Sequence, residues 1–354
     1  MTLAALNQRL QSAFGLAAKR DVQLASRHFE RRPLLPGLPG SPRCSVPNGD
    51  DTAALPDPLG HLLLAAEGML PEFVAQDPWF AGFCSIMVNV SDVTSMGGTP
   101  IAAVDVVFAG DKADNPRILE GMRAASDAYG VPIVGGHTGR APGQAIVCVA
   151  ILGRARQLIT SFDARPGDDL LLAVDLRGSY RGRGNNFNAA TCATSARLRS
   201  QHALLPELRE AGLVHAGKDI SMAGIPGTLA MLCESSGCGA RLDLDQIPIP
   251  ENVELERWLL SFPSYGFLLA ARPSDSEAVL SGFRARGVAS ARVGEFHAAP
   301  RVELSAGRER VPYFDLEQTC LTGFCAPRRP RALRGESEAA APAAPFVEAE
   351  DTWL

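Results

Sequence analysis

The stretch from residue 89 to residue 108 reads NVSDVTSMGGTPIAAVDVVF, and it decides the architecture of the first half of the chain. It contains the end of a segment, residues 79–96, in which apolar side chains recur every three or four positions, a spacing that predicts a helix. Two adjacent glycines, Gly97 and Gly98, end the predicted helix because glycine disfavours helical backbone. Small and branched apolar residues at positions 100–108 then predict a strand. A helix followed directly by a strand indicates a mixed fold, α/β or α+β.

The same alternation of helix and strand continues on both sides of this stretch. Apolar runs at residues 61–66 and 145–152 predict buried strands, and residues 115–129 predict another helix. A strand that starts at residue 131 is expected to break at the sequence GGHTG, residues 135–139. In the second half, residues 188–199 predict a helix.

A length of 354 residues suggests about two domains. The sequence ARPGDD at residues 164–169 predicts a turn that begins the second set of elements. We therefore assign residues 1–155 to an N-terminal domain and residues 156–325 to a C-terminal domain. Residues 326–354, which are rich in alanine, proline and charge, are expected to form a disordered tail.

Composition excludes several classes of protein. The 34 Lys and Arg residues against 39 Asp and Glu residues give a net charge of −5, which argues against a nucleic-acid-binding protein. No apolar run approaches the length of a membrane span, so we expect no membrane partner and a cytoplasmic location. Eight widely spaced cysteines are not typical of a disulfide scaffold, and their spacing disfavours a zinc site.

Three acidic segments flank the predicted elements, at residues 49–51, 89–92 and 218–221. Carboxylates in loops are the oxygen ligands that Mg²⁺ prefers, usually together with phosphates. Each segment also has a simpler interpretation. Asp219 could cap a helix, and Asp50 and Asp51 could lie in a surface turn.

Two pairs of glycines, at residues 97–98 and 135–136, are compatible with a nucleotide site because glycine lets the backbone approach a ligand closely. Simple turn formation would explain them equally well. Neither the dinucleotide-binding fingerprint nor the P-loop motif occurs in the chain.

Taken together and in order, these motifs resemble the aminoimidazole ribonucleotide (AIR) synthase superfamily over about residues 40–300. That superfamily includes thiamine monophosphate kinase, selenide water dikinase and a nitrile-forming hydrogenase maturation factor. The motifs are GDDTA at 49–53, NVSD at 89–92, MGGTP at 96–100, VGGHT at 134–138, and DIS at 219–221 followed by Gly224.

The resemblance implies an α+β, two-domain PurM-like fold and a homodimer in which the N-terminal sheets join into a β-barrel. It implies ATP and Mg²⁺ as cofactors, with Asp51 and Asp219 as the catalytic carboxylates. The implied metal ligands are Asp50, Asp51, Asp92 and Asp219, with Glu67 as a weaker candidate. The implied nucleotide-binding residues are Asn89, Gly97, Gly98, Gly135, Gly136, His137 and Thr138.

The chain also departs from the named relatives. His137 stands where the kinase has an acidic residue, and it could either approach phosphates or serve as a hydrogen-bonded turn histidine. Met222 replaces a further carboxylate of the kinase pattern. Cys44 lacks the lysine that accompanies the reactive cysteine of the selenide enzyme. The chain therefore resembles a separate, AIR-synthase-related branch of the superfamily.

A glycine-broken loop, residues 177–188, is a candidate substrate element. Guanidinium groups pair with carboxylate or phosphate, and asparagine amides bind polar groups, so the loop predicts a small anionic or amide-bearing substrate. A solvated basic loop is the alternative. The candidate substrate residues are Arg177, Arg181, Arg183 and Asn186.

We therefore predict an ATP- and Mg²⁺-dependent enzyme that transfers a phosphoryl group to a small molecule, either as a kinase or by activating an amide or carboxylate oxygen. Positioning and charge neutralisation would supply most of the rate. The alternative is a non-catalytic nucleotide-binding dimer that acts as a sensor or scaffold for a partner enzyme.

Overall fold

The computed structural model describes residues 1–28, 46–108, 114–140, 143–182 and 184–324. The predicted tail, Arg183 and Cys44 lie outside these residues. Within them, helices and strands form two mixed α+β domains, as predicted. None of the helices in the described ranges has the length and apolar character needed to cross a bilayer.

The chain begins with three short helices. The hydroxyl of Thr2 caps the first of them by accepting a hydrogen bond from the Ala5 backbone N–H at 3.3 Å. Leu6, Leu10 and Leu16 are buried in the core of the second domain, although the sequence analysis assigned residues 1–155 to the first. By packing, these helices are part of the second domain. The helices are α1 (Leu3–Gln11), α2 (Phe14–Lys19) and α3 (Val22–His28).

The first domain is a five-stranded sheet in the order β1-β2-β5-β3-β4, with helices packed on one face. Helix α5 is buried from Phe80 to Ser95, because the sheet covers one of its sides and the second domain covers another. The strands are β1 (Ala53–Asp57), β2 (Gly60–Gly68), β3 (Thr99–Phe108), β4 (Ile133–Gly139) and β5 (Ile146–Ala155). The helices are α4 (Pro71–Gln76), α5 (Pro78–Ser95) and α6 (Asp114–Tyr129).

Strand β4 runs through the glycine pair where a break was expected. It pairs in parallel with β3 from Ile133 to Gly139 and forms an edge of the sheet. Gly136 lies against Asp105, and a Cβ at this position would come within 2.2 Å of the Asp105 carboxylate. Glycine therefore permits a close strand approach here rather than a turn.

The second domain contains a seven-stranded sheet in the order β15-β14-β10-β13-β6-β12-β9 and a separate three-stranded sheet in the order β11-β8-β7. The strands are β6 (Asp169–Val174), β7 (Ser179–Tyr180), β8 (Asn186–Asn188), β9 (Ala216–Asp219), β10 (Gly239–Asp243), β11 (Phe262–Pro263), β12 (Gly266–Ala271), β13 (Ala289–His297), β14 (Arg301–Ala306) and β15 (Glu309–Asp315). The helices are α7 (Ser195–His202), α8 (Leu204–Glu210), α9 (Gly224–Ser236), α10 (Leu255–Leu259) and α11 (Ser276–Ala285), with a 3₁₀ turn at Leu244–Gln246.

Apolar side chains cover both faces of the seven-stranded sheet. Leu229 and Leu232 of α9 pack on one face, and Leu208 of α8 and Phe283 of α11 pack on the other. The strands in the middle of the sheet, such as β6 and β12, are buried throughout, which explains their continuous apolar sequences.

The helix predicted over residues 188–199 begins later than expected. The Asn188 side chain accepts hydrogen bonds from the backbone N–H groups of Ala190 and Thr191, at 3.2 and 3.1 Å, and so stabilises a turn. The hydroxyl of Thr194 then caps α7 by accepting from Arg197 N–H at 3.3 Å. The local hydrogen bonds of two polar side chains set this boundary.

The two domains meet where α5 ends. The backbone N–H of Ile159, in the connection between them, donates to Met96 O at 3.1 Å. Helix α5 also contacts β9 of the second domain. The loop before β1, the end of α5 and the end of β9 therefore converge at one place.

Candidate functional site

Three carboxylates from three separate elements meet at the domain junction. Asp51 precedes β1, Asp92 lies in the last turn of α5, and Asp219 ends β9. One oxygen from each lies within 4.8 Å of the others. The fold thus brings together the three acidic segments that the sequence analysis singled out.

Asp51 is held from both domains. Its Oδ2 accepts a hydrogen bond from Ser95 Oγ at 2.6 Å and another from the Asp219 backbone N–H at 3.3 Å. Its Oδ1 accepts from the ammonium of Lys218, which is buried in β9. These contacts fix the orientation of the carboxylate before any ligand binds.

Lys218 is a site residue that the sequence analysis missed. Burial alone would lower its pKa, but the charges of Asp51, Asp50 and Asp219 outweigh burial and raise the pKa. The ammonium therefore stays charged among the carboxylates. The sequence feature that could have identified Lys218 is its position directly before Asp219 on a short strand.

Asp92 is the residue of this cluster that is best suited to bind a cation. It is buried, and its Oδ2 has no hydrogen-bond partner in the described residues. Desolvation raises its pKa well above the usual value, and Asp219 raises it further. Burial also raises the pKa of Asp219 to about 8, with a further contribution from Asp51. Oxygen atoms crowded at this distance suit a hard divalent cation, which would replace the protons.

Asp50 turns away from this cluster. Its carboxylate accepts hydrogen bonds from Ser161 N–H at 2.8 Å and Ser161 Oγ at 2.6 Å. Burial raises the pKa of Asp50 to about 6, and the charge of Asp51 adds to the effect. Asp50 thus ties the loop before β1 to the segment that connects the domains.

Glu67 lies near the end of β2 and lines the cavity described next. Desolvation raises its pKa, whereas Lys19 of α2 lowers it. Of the five predicted metal ligands, Asp51, Asp92 and Asp219 form the cluster, and Asp50 and Glu67 flank it.

A cavity of about 870 Å³ opens beside the carboxylates, between the two domains. It is large enough for a cofactor or a small-molecule substrate. The N-terminal helices close one side of it through Phe14, Lys19 and Val22. Met222, which stands in place of a carboxylate of the kinase pattern, also lines the cavity.

The predicted nucleotide residues of α5 lie under the site instead of inside the cavity. Asn89 is buried, and its Nδ2 donates to Ser85 O at 2.8 Å and to Val149 O of β5 at 3.2 Å. Gly97 has φ +74° and, with Gly98, closes the end of α5 through hydrogen bonds to Thr94 O and Val93 O.

The remaining predicted nucleotide residues, 135–138, lie on the edge strand β4, where all four are exposed. Gly135 pairs with Val104 and His137 pairs with Val106 in the register of β3. The ring of His137 stacks on Phe108 with 5.2 Å between the centroids. Within the described chain, this segment does not line the cavity.

Two of the predicted substrate arginines form ion pairs of their own. Arg177 makes a bidentate pair with the buried Asp175, at 2.8 and 2.9 Å. Arg181 pairs with Asp77 at 2.7 Å, and its guanidinium lies 4.5 Å from the centroid of Phe80. Asn186 lines the cavity, and Arg183 lies outside the described residues.

A C-terminal segment, residues 321–324, also reaches the site. The carboxylate of Glu234 in α9 accepts hydrogen bonds from the N–H groups of Leu321 and Thr322, both at 2.8 Å, and from Thr322 Oγ1 at 2.6 Å. Phe324 then packs on Gly49, where a Cβ would come within 2.3 Å of the Phe324 ring. Gly49 has φ +110°, so the loop that carries Asp50 and Asp51 depends on glycine at this position.

Comparison with known proteins shows the family. Residues 49–155 match the family model "AIR synthase related protein, N-terminal domain", and residues 182–307 match "AIR synthase related protein, C-terminal domain". An uncharacterized protein of Synechocystis is 47% identical over 316 residues, covering 89% of this chain and 96% of its own length.

More distant relatives carry functional names. The selenide, water dikinase of Aeromonas hydrophila is 26% identical over 261 residues, which cover 66% of this chain and 72% of that enzyme. The structure of Thermotoga maritima PurL complexed with ADP has a TM-score of 0.70 at 17% identity. The alignment covers 96% of this chain but only 56% of the PurL chain, and at this identity it shows a common fold. By sequence and by fold, the chain belongs to the AIR synthase related protein family.

Proposed function

We propose that the protein is an ATP- and Mg²⁺-dependent enzyme that transfers a phosphoryl group to a small molecule bound in the interdomain cavity. The observation that carries this proposal is the cluster of Asp51, Asp92 and Asp219, contributed by both domains, with a buried and unpartnered oxygen on Asp92. A dikinase relative and a PurL structure with bound ADP support the assignment.

Asp51, Asp92 and Asp219 would hold the metal, because their oxygens are close together and they converge on the cavity. When bound there, Mg²⁺ would neutralise phosphate charge and the charge that develops during phosphoryl transfer. Asp51 and Asp219 are the carboxylates we propose to be essential for turnover. Glu67, which also lines the cavity, would support a second ion.

Side chains of the protein contribute by orienting the carboxylate of Asp51. Ser95 and Lys218 each bind one oxygen of Asp51, so that this carboxylate is held in place from both domains. The ammonium of Lys218 also lowers the repulsion that an incoming triphosphate would meet. Positioning and fixed charge of this kind are the main contributions that proteins make to phosphoryl transfer.

We further propose that the active form is a homodimer. The face of the first sheet that points away from α5 exposes Leu64, Val104 and Ile146, at 47%, 43% and 53% of their surfaces. Apolar side chains spread over one sheet face are typical of a surface that another molecule covers. A second copy on this face would bring the exposed residues 135–138 of β4 into the interface, where the nucleotide would bind.

Calorimetric titration of ATP with and without Mg²⁺, combined with a phosphate-release assay, tests this function. We expect binding that requires Mg²⁺, and we expect Asp51→Asn and Asp219→Asn each to abolish turnover while the fold and the dimer persist. Asp127→Asn, on the exposed surface of α6, is the matched control. Mg²⁺-dependent binding without turnover on any acceptor would favour the nucleotide-binding sensor, and an absence of binding would reject both.

A further inference from the structure

The interdomain cavity changes character along its length. On α5, Phe80, Cys84, Met87 and Val88 line it, and Asp92 follows on the same face of the helix at the next spacing of four. At about 1.5 Å per residue, the twelve positions from Phe80 to Asp92 correspond to roughly 18 Å along the helix axis. Along α5, the cavity lining is therefore apolar at one end and carries Asp92 at the other.

Neighbouring elements complete the apolar end, which we call the apolar wall. Phe73 of α4 meets Phe80 edge to face with 5.7 Å between the ring centroids. Methionines supply much of the remaining surface, and their unbranched side chains adapt to ligands of different shape. The apolar wall consists of Met69, Phe73, Phe80, Met87 and Phe262, which line the cavity and share one apolar cluster.

Most of the ionisable side chains in the described lining of the cavity are carboxyl groups. The two cations among the described lining residues are Lys19 and Lys218, and Lys218 already contacts Asp51. Of the predicted anion-binding arginines that the structure describes, Arg177 is paired with Asp175, and Arg181 is paired with Asp77 while its guanidinium packs against the Phe80 ring. The described lining contains no arginine. The lining carboxylates are Asp50, Asp51, Glu67, Glu72, Asp92 and Asp219.

We propose that the apolar wall binds the phosphoryl acceptor, and that this acceptor has an aliphatic or aromatic body and a neutral or cationic polar end that faces the carboxylates. The proposal rests on the proposed function, because it places the acceptor beside the metal cluster. The described lining carries no arginine that could pair with a phosphate or carboxylate of the acceptor itself, so an uncharged or cationic polar end fits this lining better. Asn185 and Asn186, which line the same cavity, supply amide groups for an uncharged polar end.

A matched set of naphthalene compounds tests this assignment on the full-length protein. 1-Naphthaleneacetamide, 1-naphthylmethylamine and 1-naphthyl phosphate share one apolar body and differ in charge, and their binding can be followed by fluorescence and calorimetry. We expect the amide and the amine to bind at least about tenfold more tightly than the phosphate. Equal or tighter binding of the phosphate would overturn the proposal.

Variants locate the binding site. Met69→Gln places a polar group on the apolar wall and should weaken amide binding by about fivefold, whereas Leu59→Gln, in an exposed turn, should leave it unchanged. Phe73→Gln on α4 is a second wall variant, and circular dichroism checks the folding of each. Unchanged binding in folded Met69→Gln and Phe73→Gln would place the probe outside the wall and contradict the proposal.

A competition experiment separates this inference from the proposed function. Mg²⁺ and ADP should bind together with the naphthalene amide, since acceptor and nucleotide occupy different places. Mutually exclusive binding would assign the apolar wall to the nucleotide base and overturn the inference while leaving nucleotide binding intact. Conversely, the protein could bind the amide tightly and bind no nucleotide. That result would reject the proposed function but would still support the inferred ligand preference of the cavity.

Discussion

The ammonium of Lys218 in β9 contacts Oδ1 of Asp51, so the second domain neutralises a carboxylate of the first. The contact joins residues 167 positions apart and lies at the junction where Asp51, Asp92 and Asp219 meet. It leaves Asp92 and Asp219 without a comparable cation, and the pKa of each is raised. The domain junction is thus partly charge-balanced before a metal binds.

Removing this cation should destabilise the metal-free protein. Lys218→Met leaves the buried carboxylate of Asp51 without its ammonium, and loss of one partner of a buried ion pair costs about 3–5 kcal/mol. Urea unfolding in the presence of a chelator measures the loss. Mg²⁺ at about 100 times its Kd should restore about 2.7 kcal/mol. Lys218→Arg keeps the charge and serves as the control, and an unchanged free energy of unfolding in Lys218→Met would show that the pair is dispensable.

Metal affinity should rise with pH. Burial raises the pKa of Asp219 from 3.8 to about 8, so between these values the folded protein keeps a proton that the unfolded chain has lost. The free energy of unfolding of the metal-free protein should therefore fall as pH rises through this range, because the folded state binds more protons. Mg²⁺ displaces that proton, so its affinity should increase from pH 6 to pH 8. Calorimetry in two buffers of different ionisation enthalpy measures the released proton.

Asp219→Asn supplies the control for this pH dependence. The amide does not titrate, so the variant should lose the contribution of Asp219 to the pH dependence of metal-free stability and bind Mg²⁺ weakly at every pH. The contributions of Asp50 and Asp92, whose pKa values are also raised, should remain. A wild-type Mg²⁺ affinity that is flat between pH 6 and pH 8 would contradict the raised pKa.

Much of the fold and the central cluster could be predicted because they depend on order and spacing in the chain. The motifs around Asp51, Asp92 and Asp219 occur at intervals that identify the family, and the structure brings these carboxylates together. Lys218 could not be predicted in the same way, since its role depends on Asp51 across the domain junction.

In the loop at residues 177–188, residue type alone was insufficient to predict the contacts of the arginines. Arg181 has the chemistry of an anion-binding residue, but its partner Asp77 lies 104 positions away and was not visible as a partner in the sequence. The glycines at 135–136 were open to two interpretations for a similar reason, because the close approach to Asp105 depends on strand pairing. At both places, long-range contacts rather than local propensity determine the geometry that the structure shows.

Arg181 should therefore matter for stability more than for substrate charge. Arg181→Ala removes the ion pair with Asp77 and the contact with the Phe80 ring, which for a half-exposed guanidinium is worth about 1 kcal/mol. We expect a lower free energy of unfolding and an unchanged Kd for Mg²⁺. Arg156→Ala is the matched control, since Arg156 lies 3.9 Å from Glu210 with both side chains well exposed. If Arg181→Ala instead raised the KM for an anionic acceptor strongly without loss of stability, Arg181 would be a substrate-binding residue.

The apolar sheet face should govern assembly. Val104→Glu introduces a charge at the centre of that face and should convert a dimer to a monomer in light scattering, because an interface core tolerates an unpaired carboxylate poorly. Nucleotide affinity should fall together with dimer content if residues 135–138 act at the interface. Leu59→Glu, on an exposed turn outside the sheet face, is the control. A wild-type chain that is monomeric at high concentration would reject this arrangement.

The segment 321–324 should control the order of the loop that carries Asp50 and Asp51. Glu234→Gln replaces a carboxylate that accepts from Leu321 and Thr322 with an amide that can offer only one acceptor oxygen. The loss of charge-assisted hydrogen bonds should lower the free energy of unfolding by about 2–3 kcal/mol.

Because Phe324 packs on Gly49, release of this segment should also speed amide hydrogen exchange at residues 48–52 and weaken Mg²⁺ binding. Gly49→Ala tests the same contact from the other side, since it clashes with Phe324 at a position with φ +110°. Glu251→Gln, on an exposed turn, is the charge-matched control. Faster exchange confined to residues 321–324 in Glu234→Gln, with normal Mg²⁺ affinity, would mean that the segment covers the site without positioning its carboxylates.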